Sequence, residues 1–412
     1  MSLRVLDVVR NNGVAQEMRP AHWANASGTN FKNPWSSFRE MDWTDGKWIA
    51  GNLLKGMAPL PADLAARMPV RKPVWDHGEA HKDDVKTTWL GHAAFLIEMP
   101  HHAGAERGIR ILTDPVLGDY CAPVSAAKLK RITPPAARVD ELPDVDAVVI
   151  SHNHYDHLDY KTIHALFKRP RIPHIFAPRG NENVLKSFGV PASHLHILDW
   201  WEKQRIELEI PSSTSVGGDQ PGGASKATQP TRVDIHCVPA QHNSGRTPLD
   251  RMRGQPALWS GWAFEEVLEG PDKHADVSAG AEKPIITGKK VYFAGDTAYK
   301  ALWDGRDEAD CPSCPAFKEI GERFGGFDVA LLPIGCYLPR RFMSPMHASP
   351  GDSVNIFKDV RAKRAVAMHW GTWVLSDEPV LEPPQLLKQE AAAAGLAEDA
   401  FTACEIGETR FY

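Results

Sequence analysis

The sequence has no run of eighteen or more uninterrupted apolar residues, which excludes a membrane-spanning helix. Its opening, MSLRVLDVVRNNG, is too short and too interrupted by charge to be the apolar region of a secretory signal. Charge of either sign is also in small excess. A formal net charge of −5 gives no whole-molecule reason to expect nucleic acid as a partner. Cysteine is scarce, with six in 412 residues, at Cys121, Cys237, Cys311, Cys314, Cys336 and Cys404. Only Cys311-Pro-Ser-Cys314 has a suggestive spacing. A zinc knuckle would need a second such pair, and a thioredoxin-like motif would need a strand just before it, where this segment reads as loop. The cysteines therefore read as reduced thiols of an intracellular protein. What is present is the balance of a soluble globular chain with a substantial core, 42% hydrophobic and 24% charged. The length allows one large domain or two ordinary ones.

Residues 1–85 show little periodicity and much Trp, Pro and Gly, including Asn33-Pro-Trp, Trp43 and Trp48. They read as an irregular N-terminal arm, with one short helix over Ala62–Met68 stopped by Pro69. From there a catalytic domain is expected over residues 86–412. Strands are predicted at Thr87–Met99, Arg110–Thr113, Ala147–Ile150, His174–Ala177, Arg205–Ile210, Val233–Val238, Ala257–Phe264, Lys290–Ala294, Phe327–Leu332 and Arg364–Met368. Helices are predicted at Lys161–Lys168, Asn181–Phe188 and Ala316–Glu322. A further one starts at Ser349-Pro-Gly-Asp352, which has an N-cap, an N1 proline and an N3 acid, and runs through Lys358. The last spans Pro384–Ala394 and is closed by Gly395. Strands followed by spaced helices, repeated twice, predict an α/β fold of the αββα type, with two sheets face to face and helices outside. Two polar, Gly-rich inserts, Pro211–Pro230 and Gly270–Gly288, read as mobile surface loops. An interdomain linker is the rival reading, disfavoured because metal-type ligands flank each insert.

Those ligands begin with Ser151-His-Asn-His-Tyr-Asp-His157, directly after the apolar run Ala147–Ile150. In an extended segment residues two apart point the same way, so His152 and His154 can grip one ion together. Asp156 and His157 lie where the chain turns and can diverge toward a second. Imidazole and carboxylate suit Zn²⁺ in a hydrolytic site. Three later positions repeat the context of an apolar strand ending in a ligand: His242 in Ala-Gln-His, Asp296 in Gly-Asp-Thr and His369 in His-Trp-Gly-Thr. Singly, Asp296 also reads as a turn cap and His369 as a core histidine. The order of all of them after the cluster favours a two-metal site.

This order resembles that of the metallo-β-lactamase superfamily. The resemblance implies one zinc held by His152, His154 and His242, a second by Asp156, His157 and His369, and Asp296 bridging. Asp114 in Leu112-Thr-Asp-Pro115 matches a buried aspartate that fixes ligand geometry, or is a plain turn residue before proline. Over about residues 30–412 the chain is further similar to the N-acylphosphatidylethanolamine-hydrolysing phospholipase D family. The matching segments include Asn33-Pro-Trp, Thr88-Trp-Leu-Gly-His-Ala93, Leu198-Asp-Trp-Trp-Glu202, Phe293-Ala-Gly-Asp-Thr297, Pro333-Ile-Gly335, His369-Trp-Gly-Thr372 and Leu381-Glu-Pro-Pro384. Asp-Trp-Trp-Glu and Leu-Glu-Pro-Pro are not general superfamily features, which makes the match specific. Gln241 and His347 match as well, and Asp156, Asp296 and His347 carry over as catalytic residues. His347 also reads as a surface-loop histidine. Asn243-Ser-Gly departs from the aromatic of animal members, which puts acyl-chain preference in doubt. The resemblance implies a membrane phospholipid substrate, two Zn²⁺, peripheral membrane association and a possible homodimer. Trp43, Trp48, Leu53 and Leu54, with Lys47 and Lys55, are the expected lipid-facing residues; packing of the arm on the core is the alternative. The rival activity is a lactonase or phosphodiesterase acting on a soluble substrate.

Overall fold

The computed structural model describes residues 2–9, 19–40, 42, 44, 45, 51, 59–101, 105–126, 129–209, 230–247, 249, 250, 254–269 and 285–412. In chain order its strands are β1 Ser2–Val9, β2 Lys86–Gly91, β3 Ala94–Glu98, β4 Arg110–Thr113, β5 Ala147–Val149, β6 His174–Pro178, β7 Leu195–Leu198, β8 Lys203–Glu209, β9 Thr231–Val238, β10 Gly261–Glu269, β11 Ile285–Phe293, β12 Phe327–Pro333, β13 Ala362–Met368, β14 Phe401–Thr402 and β15 Thr409–Phe411. They form two mixed sheets, of order β1-β8-β9-β10-β11-β12-β13-β14 and β15-β2-β3-β4-β5-β6-β7.

Strand alternation divides the core into layers. Within β5, Ala147 and Val149 point to the interior between the sheets, which they share with Ile111, Phe176, Ile235, Phe264, Val291 and Phe293. Val148 and Ile150 point the other way, with Leu112 and Ile175, onto Ile163, Leu166 and Leu185 of the outer helices Tyr160–Leu166 and Glu182–Ser187. A strand buried on both faces must read as a continuous apolar run, as Ala147–Ile150 does. Each such side chain contributes about 1.5–3 kcal/mol on burial. Helix Pro350–Asp359 starts with the predicted capping box, in which Ser349 Oγ accepts from Asp352 N–H and the Asp352 carboxylate accepts from Ser349 N–H.

The structure corrects four expectations. Thr87–Met99 is not one strand but two, because Gly91 and His92 take φ values of 105° and 54° and turn the chain. The strand expected at Ala257 begins only at Gly261: Leu258 N–H donates to Arg179 O and Ser260 N–H to Ser151 O, so this stretch crosses to the other sheet's loops. Residues 285–288, expected as loop, belong to β11, where Ile285–Thr287 pair with Val267–Glu269. The arm is not wholly irregular either, since β1 extends the larger sheet antiparallel to β8. The first insert's residues 211–229, and 270–284 of the second, lie outside the described residues, as do Trp43, Lys47, Trp48, Leu53, Leu54 and Lys55.

The arm's residues 19–40 pack on the domain through specific polar contacts. The Asp199 carboxylate accepts from Trp23 Nε1 at 2.9 Å and lies 2.7 Å from His22 Nε2, while Trp35 stacks on Trp200 with centroids 5.4 Å apart. Leu198-Asp-Trp-Trp-Glu202 is thus a seat for the arm.

Candidate metal centre

The parallel strands β4, β5, β11, β12 and β13 all point their carboxyl ends to one edge of the two sheets. Loops leaving those ends, and the one leaving β9, carry Asp114, the 151–157 run, Asp296, His369 and His242. Carboxyl ends of strands are where open α/β sheets place their sites.

The structure brings these side chains together in two groups. Nε2 of His152 lies 2.8 Å from Nδ1 of His154, and Nε2 of His242 lies 3.4 Å from the same atom. The partners of the other ring nitrogens fix the tautomers. Ser151 Oγ donates to Asp114 and therefore accepts from His152 Nδ1 at 2.8 Å. His242 Nδ1 donates to Met346 O at 2.7 Å. Each Nε2 is left with its lone pair facing His154. Burial, then the neighbouring imidazoles, holds His152 well below its ordinary pKa; burial likewise holds His242 neutral. His152 and His242 are therefore neutral nitrogen donors turned toward His154.

In the second group Asp156 Oδ2 lies 3.5 Å from His157 Nε2 and 3.8 Å from His369 Nε2. His92 joins them, with Nε2 3.1 Å from Asp156 Oδ2. Asp296 stands between the groups: its Oδ2 is 3.2 Å from His157, 3.9 Å from His152 and 3.7 Å from His242, and its Oδ1 is 2.9 Å from His369. Burial alone would lower the pKa of His157, but Asp296, Asp156 and Asp114 outweigh it and push it well above the usual value. His369 is likewise driven up to about 9, the carboxylates of Asp296 and Asp156 overcoming burial. The same field, from two carboxylates with no Lys or Arg paired to either among the described residues, attracts cations.

His157 Nε2, Asp296 Oδ1 and His369 Nε2 are buried and make no well-directed hydrogen bond, approaching one another only as ion pairs. An orphaned buried polar atom costs about 1–3 kcal/mol. Three converging on one spot, all metal-ligand types, fit a cation rather than a packed core. Among the described residues, His152, His154 and His242, and separately His92, Asp156, His157 and His369, have ligand atoms within 4.8 Å of one another. The donors are thus arranged for a binuclear metal site.

The supports are as specific as the donors. Asp114 accepts from Ser151 N–H at 2.7 Å, from Ser151 Oγ, and from His157 Nδ1 at 2.7 Å, so one carboxylate orients both arms of the 151–157 run. Gly295 has φ 60°, and a Cβ there would sit 2.6 Å from Ser151 Cβ, so only glycine lets the Asp296 loop approach the cluster. Gln241 N–H donates to Thr297 Oγ1 at 2.9 Å, tying the loop of His242 to that of Asp296. From the arm, Asn33 Nδ2 donates to His242 O at 2.7 Å and Ser37 Oγ to Gln241 Oε1 at 2.5 Å.

His347 follows the short helix Arg340–Met343, with Nδ1 3.8 Å from Asp296 Oδ2 and its ring 5.1 Å from that of His242. Burial pushes its pKa down to about 4. Its neutral ring retains one N–H at neutral pH. The contact of His92 with Asp156 is absent from the sequence reading. The available signal was its place in Leu-Gly-His-Ala, an apolar strand ending in a ligand type. The cysteines are all buried and unpaired, Cys311 and Cys314 included.

A family model described as "Beta-lactamase superfamily domain" matches residues 109–370, a span that holds Asp114 and the seven predicted donors but not His92 or Asn33. The N-acyl-phosphatidylethanolamine-hydrolyzing phospholipase D 1 of Caenorhabditis elegans is 32% identical over 360 residues, covering 85% of this chain and 82% of that protein. The mitochondrial N-acyl-phosphatidylethanolamine-hydrolyzing phospholipase D of Saccharomyces cerevisiae is 29% identical over 339 residues, covering 82% of this chain and 58% of the yeast protein. Among solved structures, the isothiocyanate hydrolase from Delia radicum gut bacteria aligns over 79% of this chain and 99% of its own, with 19% identity and a TM-score of 0.48. The chain is a metal-dependent hydrolase of the metallo-β-lactamase superfamily, and belongs within it to the family of the N-acylphosphatidylethanolamine-hydrolysing phospholipases D.

Proposed function

We propose that the chain is a zinc-dependent phosphodiesterase of the phospholipase D type, which hydrolyses N-acylphosphatidylethanolamine to N-acylethanolamine and phosphatidate. The observation that carries this reading is the match to the worm phospholipase over 82% of its length, on a chain whose donors form two adjacent groups. His152, His154 and His242 would hold one zinc ion, Asp156, His157 and His369 the other, with Asp296 between them. Bound there, two such cations supply Lewis acidity, making water acidic near neutral pH and offsetting charge on a phosphodiester.

The chain's own residues supply orientation and a proton. Asp114 holds His157 so that its Nε2 would face a second cation, and Ser151 holds His152 so that its Nε2 would face the first. His347 is placed to donate its remaining N–H to the phosphoryl oxygen or to the departing alkoxide. Its partial opening to solvent, which His154 shares, lets a substrate reach it; His152, His157, His242 and His369 are buried. The phosphoryl group passes to water, so no side chain is needed as nucleophile. The substrate must come from a membrane surface. Among the described residues no helix is long and apolar enough to cross one, and the reading keeps Trp43, Trp48 and Leu53–Leu54 as the lipid-docking segment.

The test is mass-spectrometric assay of the zinc-loaded protein on N-acylphosphatidylethanolamine vesicles in ¹⁸O-labelled water with ethanol added. Release of N-acylethanolamine with label in phosphatidate and no phosphatidylethanol is expected. Phosphatidylethanol would indicate a protein nucleophile. No release, with turnover of a soluble phosphodiester or lactone, would replace this reading with the soluble-substrate one.

A further inference from the structure

We propose that His92 is a positioning residue for the second donor group: it holds the Asp156 carboxylate with its ring and the His369 backbone with its carbonyl. The proposal rests on the binuclear reading of the site.

The ring geometry distinguishes His92 from three of the donors around it, while His369 shares its unpartnered Nδ1. His152, His157 and His242 each have Nδ1 occupied, by Ser151 Oγ, Asp114 and Met346 O, which leaves Nε2 free for a cation. His92 shows no such arrangement. Among the described residues nothing pairs with its Nδ1, and its Nε2 lies 3.1 Å from Asp156 Oδ2 in hydrogen-bond geometry. An ionised carboxylate only accepts, so this Nε2 carries the proton. The Asp156 oxygen that His92 holds is the one that faces His157 and His369.

The backbone supplies the second half. His92 and His369 are both non-glycine residues in the left-handed region, with φ of 54° and 62°. His369 N–H donates to His92 O at 3.0 Å, His92 N–H donates to Thr372 Oγ1 at 2.8 Å, and Trp89 Nε1–H donates to His92 O at 2.9 Å. The rings lie against each other with centroids 4.0 Å apart. Two strained turns, one from each sheet, are therefore clasped to one another at the metal edge. Strain of this kind persists only where the surroundings over-determine it. Here the clasp sets where the His369 and Asp156 ligand atoms stand relative to Asp296.

Partners that orient metal ligands are typically worth about 10–100-fold in metal affinity. The experiment is titration of chelator-stripped protein with Co²⁺, followed by visible absorption, and with Zn²⁺ by equilibrium dialysis, for wild type, His92→Ala and His92→Gln. Wild type should bind two equivalents. His92→Ala should keep the first at wild-type affinity, which also certifies its fold, and lose about 10–100-fold at the second. His92→Gln, whose amide N–H reaches the same carboxylate, should restore the second to within a few-fold. Wild-type affinity in His92→Ala would overturn the proposal. Equal loss in both variants would overturn it too, making the imidazole a ligand. Fewer than two equivalents in wild type would instead remove the binuclear reading.

Discussion

Nε2 of His152 and Nδ1 of His154 face each other at 2.8 Å inside a shell that also turns His242 Nε2 toward them. Ligand nitrogens gathered this way are a stability debt in metal-free protein and a binding site in loaded protein. Whatever binds only the folded chain stabilises it, by about 2.7 kcal/mol at a hundred times its dissociation constant. Chelation should therefore lower the melting temperature by several degrees, and Zn²⁺ should restore it. His154→Ala should shrink that zinc-dependent increment and abolish hydrolysis. An unchanged increment in His154→Ala would place the stabilising cation elsewhere.

Asp114→Asn should weaken the second donor group without touching any ligand. The amide keeps one acceptor oxygen where the carboxylate serves Ser151 N–H, Ser151 Oγ and His157 Nδ1. One of those buried donors is left facing an NH₂, at a cost of about 1–3 kcal/mol. Urea unfolding of the metal-free protein should show that loss, and metal analysis should show sub-stoichiometric content. Full metal content with unchanged stability would reduce Asp114 to a turn residue.

Gly295→Ala should destabilise the metal edge strongly for a single-methyl addition. The left-handed backbone alone costs about 1–2 kcal/mol for an L-residue, and the new Cβ meets Ser151 Cβ at 2.6 Å and Ser260 O at 3.0 Å. Soluble yield and melting temperature should both fall. Gly305→Ala is the control, with the same sign of φ but open space around it.

A pH dependence arises far from the metal centre, at the outer edge of the smaller sheet. His174 Nδ1 and His196 Nε2 lie 2.8 Å apart, and burial, then adjacent imidazoles, pushes both down to about 4. In the unfolded chain each titrates near 6.5. Their contribution is therefore fully present above pH 6.5. It is lost as pH falls toward 4, because there the unfolded state binds protons that the folded state does not. The melting temperature should drop across that window, and less steeply in a His174→Gln/His196→Gln double variant. Parallel curves for the two proteins would clear these histidines.

The donors were legible because each follows an apolar strand, and a strand buried on both faces announces itself as an unbroken run. Ala147–Ile150 and Ala365–Met368 gave the positions of His152 and His369 in this way. β1 and β15 were not legible, since edge strands are half covered and lack such runs: Arg4 and Leu6 are exposed within β1. Nor did strand alternation alone show that Thr87–Met99 folds back on itself, because the turn depends on positive φ at Gly91 and His92. Missing that turn also meant missing where His92 points. Ala257–Ser260 read as strand because apolar residues look alike whether they pair in a sheet or cross between two.

β2, which ends one residue before His92, takes β15 as its outer neighbour, with Thr88 Oγ1 2.7 Å from Thr409 Oγ1 across a separation of 321 residues. During synthesis β2 and β3 emerge early, yet the edge that steadies them is made hundreds of residues later. Pairings so distant in sequence form late in folding. Asp296 and His369 are also still unmade while the 151–157 run is already exposed to the cell. A nascent chain therefore presents the 151–157 run before Asp296 and His369 exist to complete the two groups. The complete donor set is thus available only once the chain has been made beyond His369.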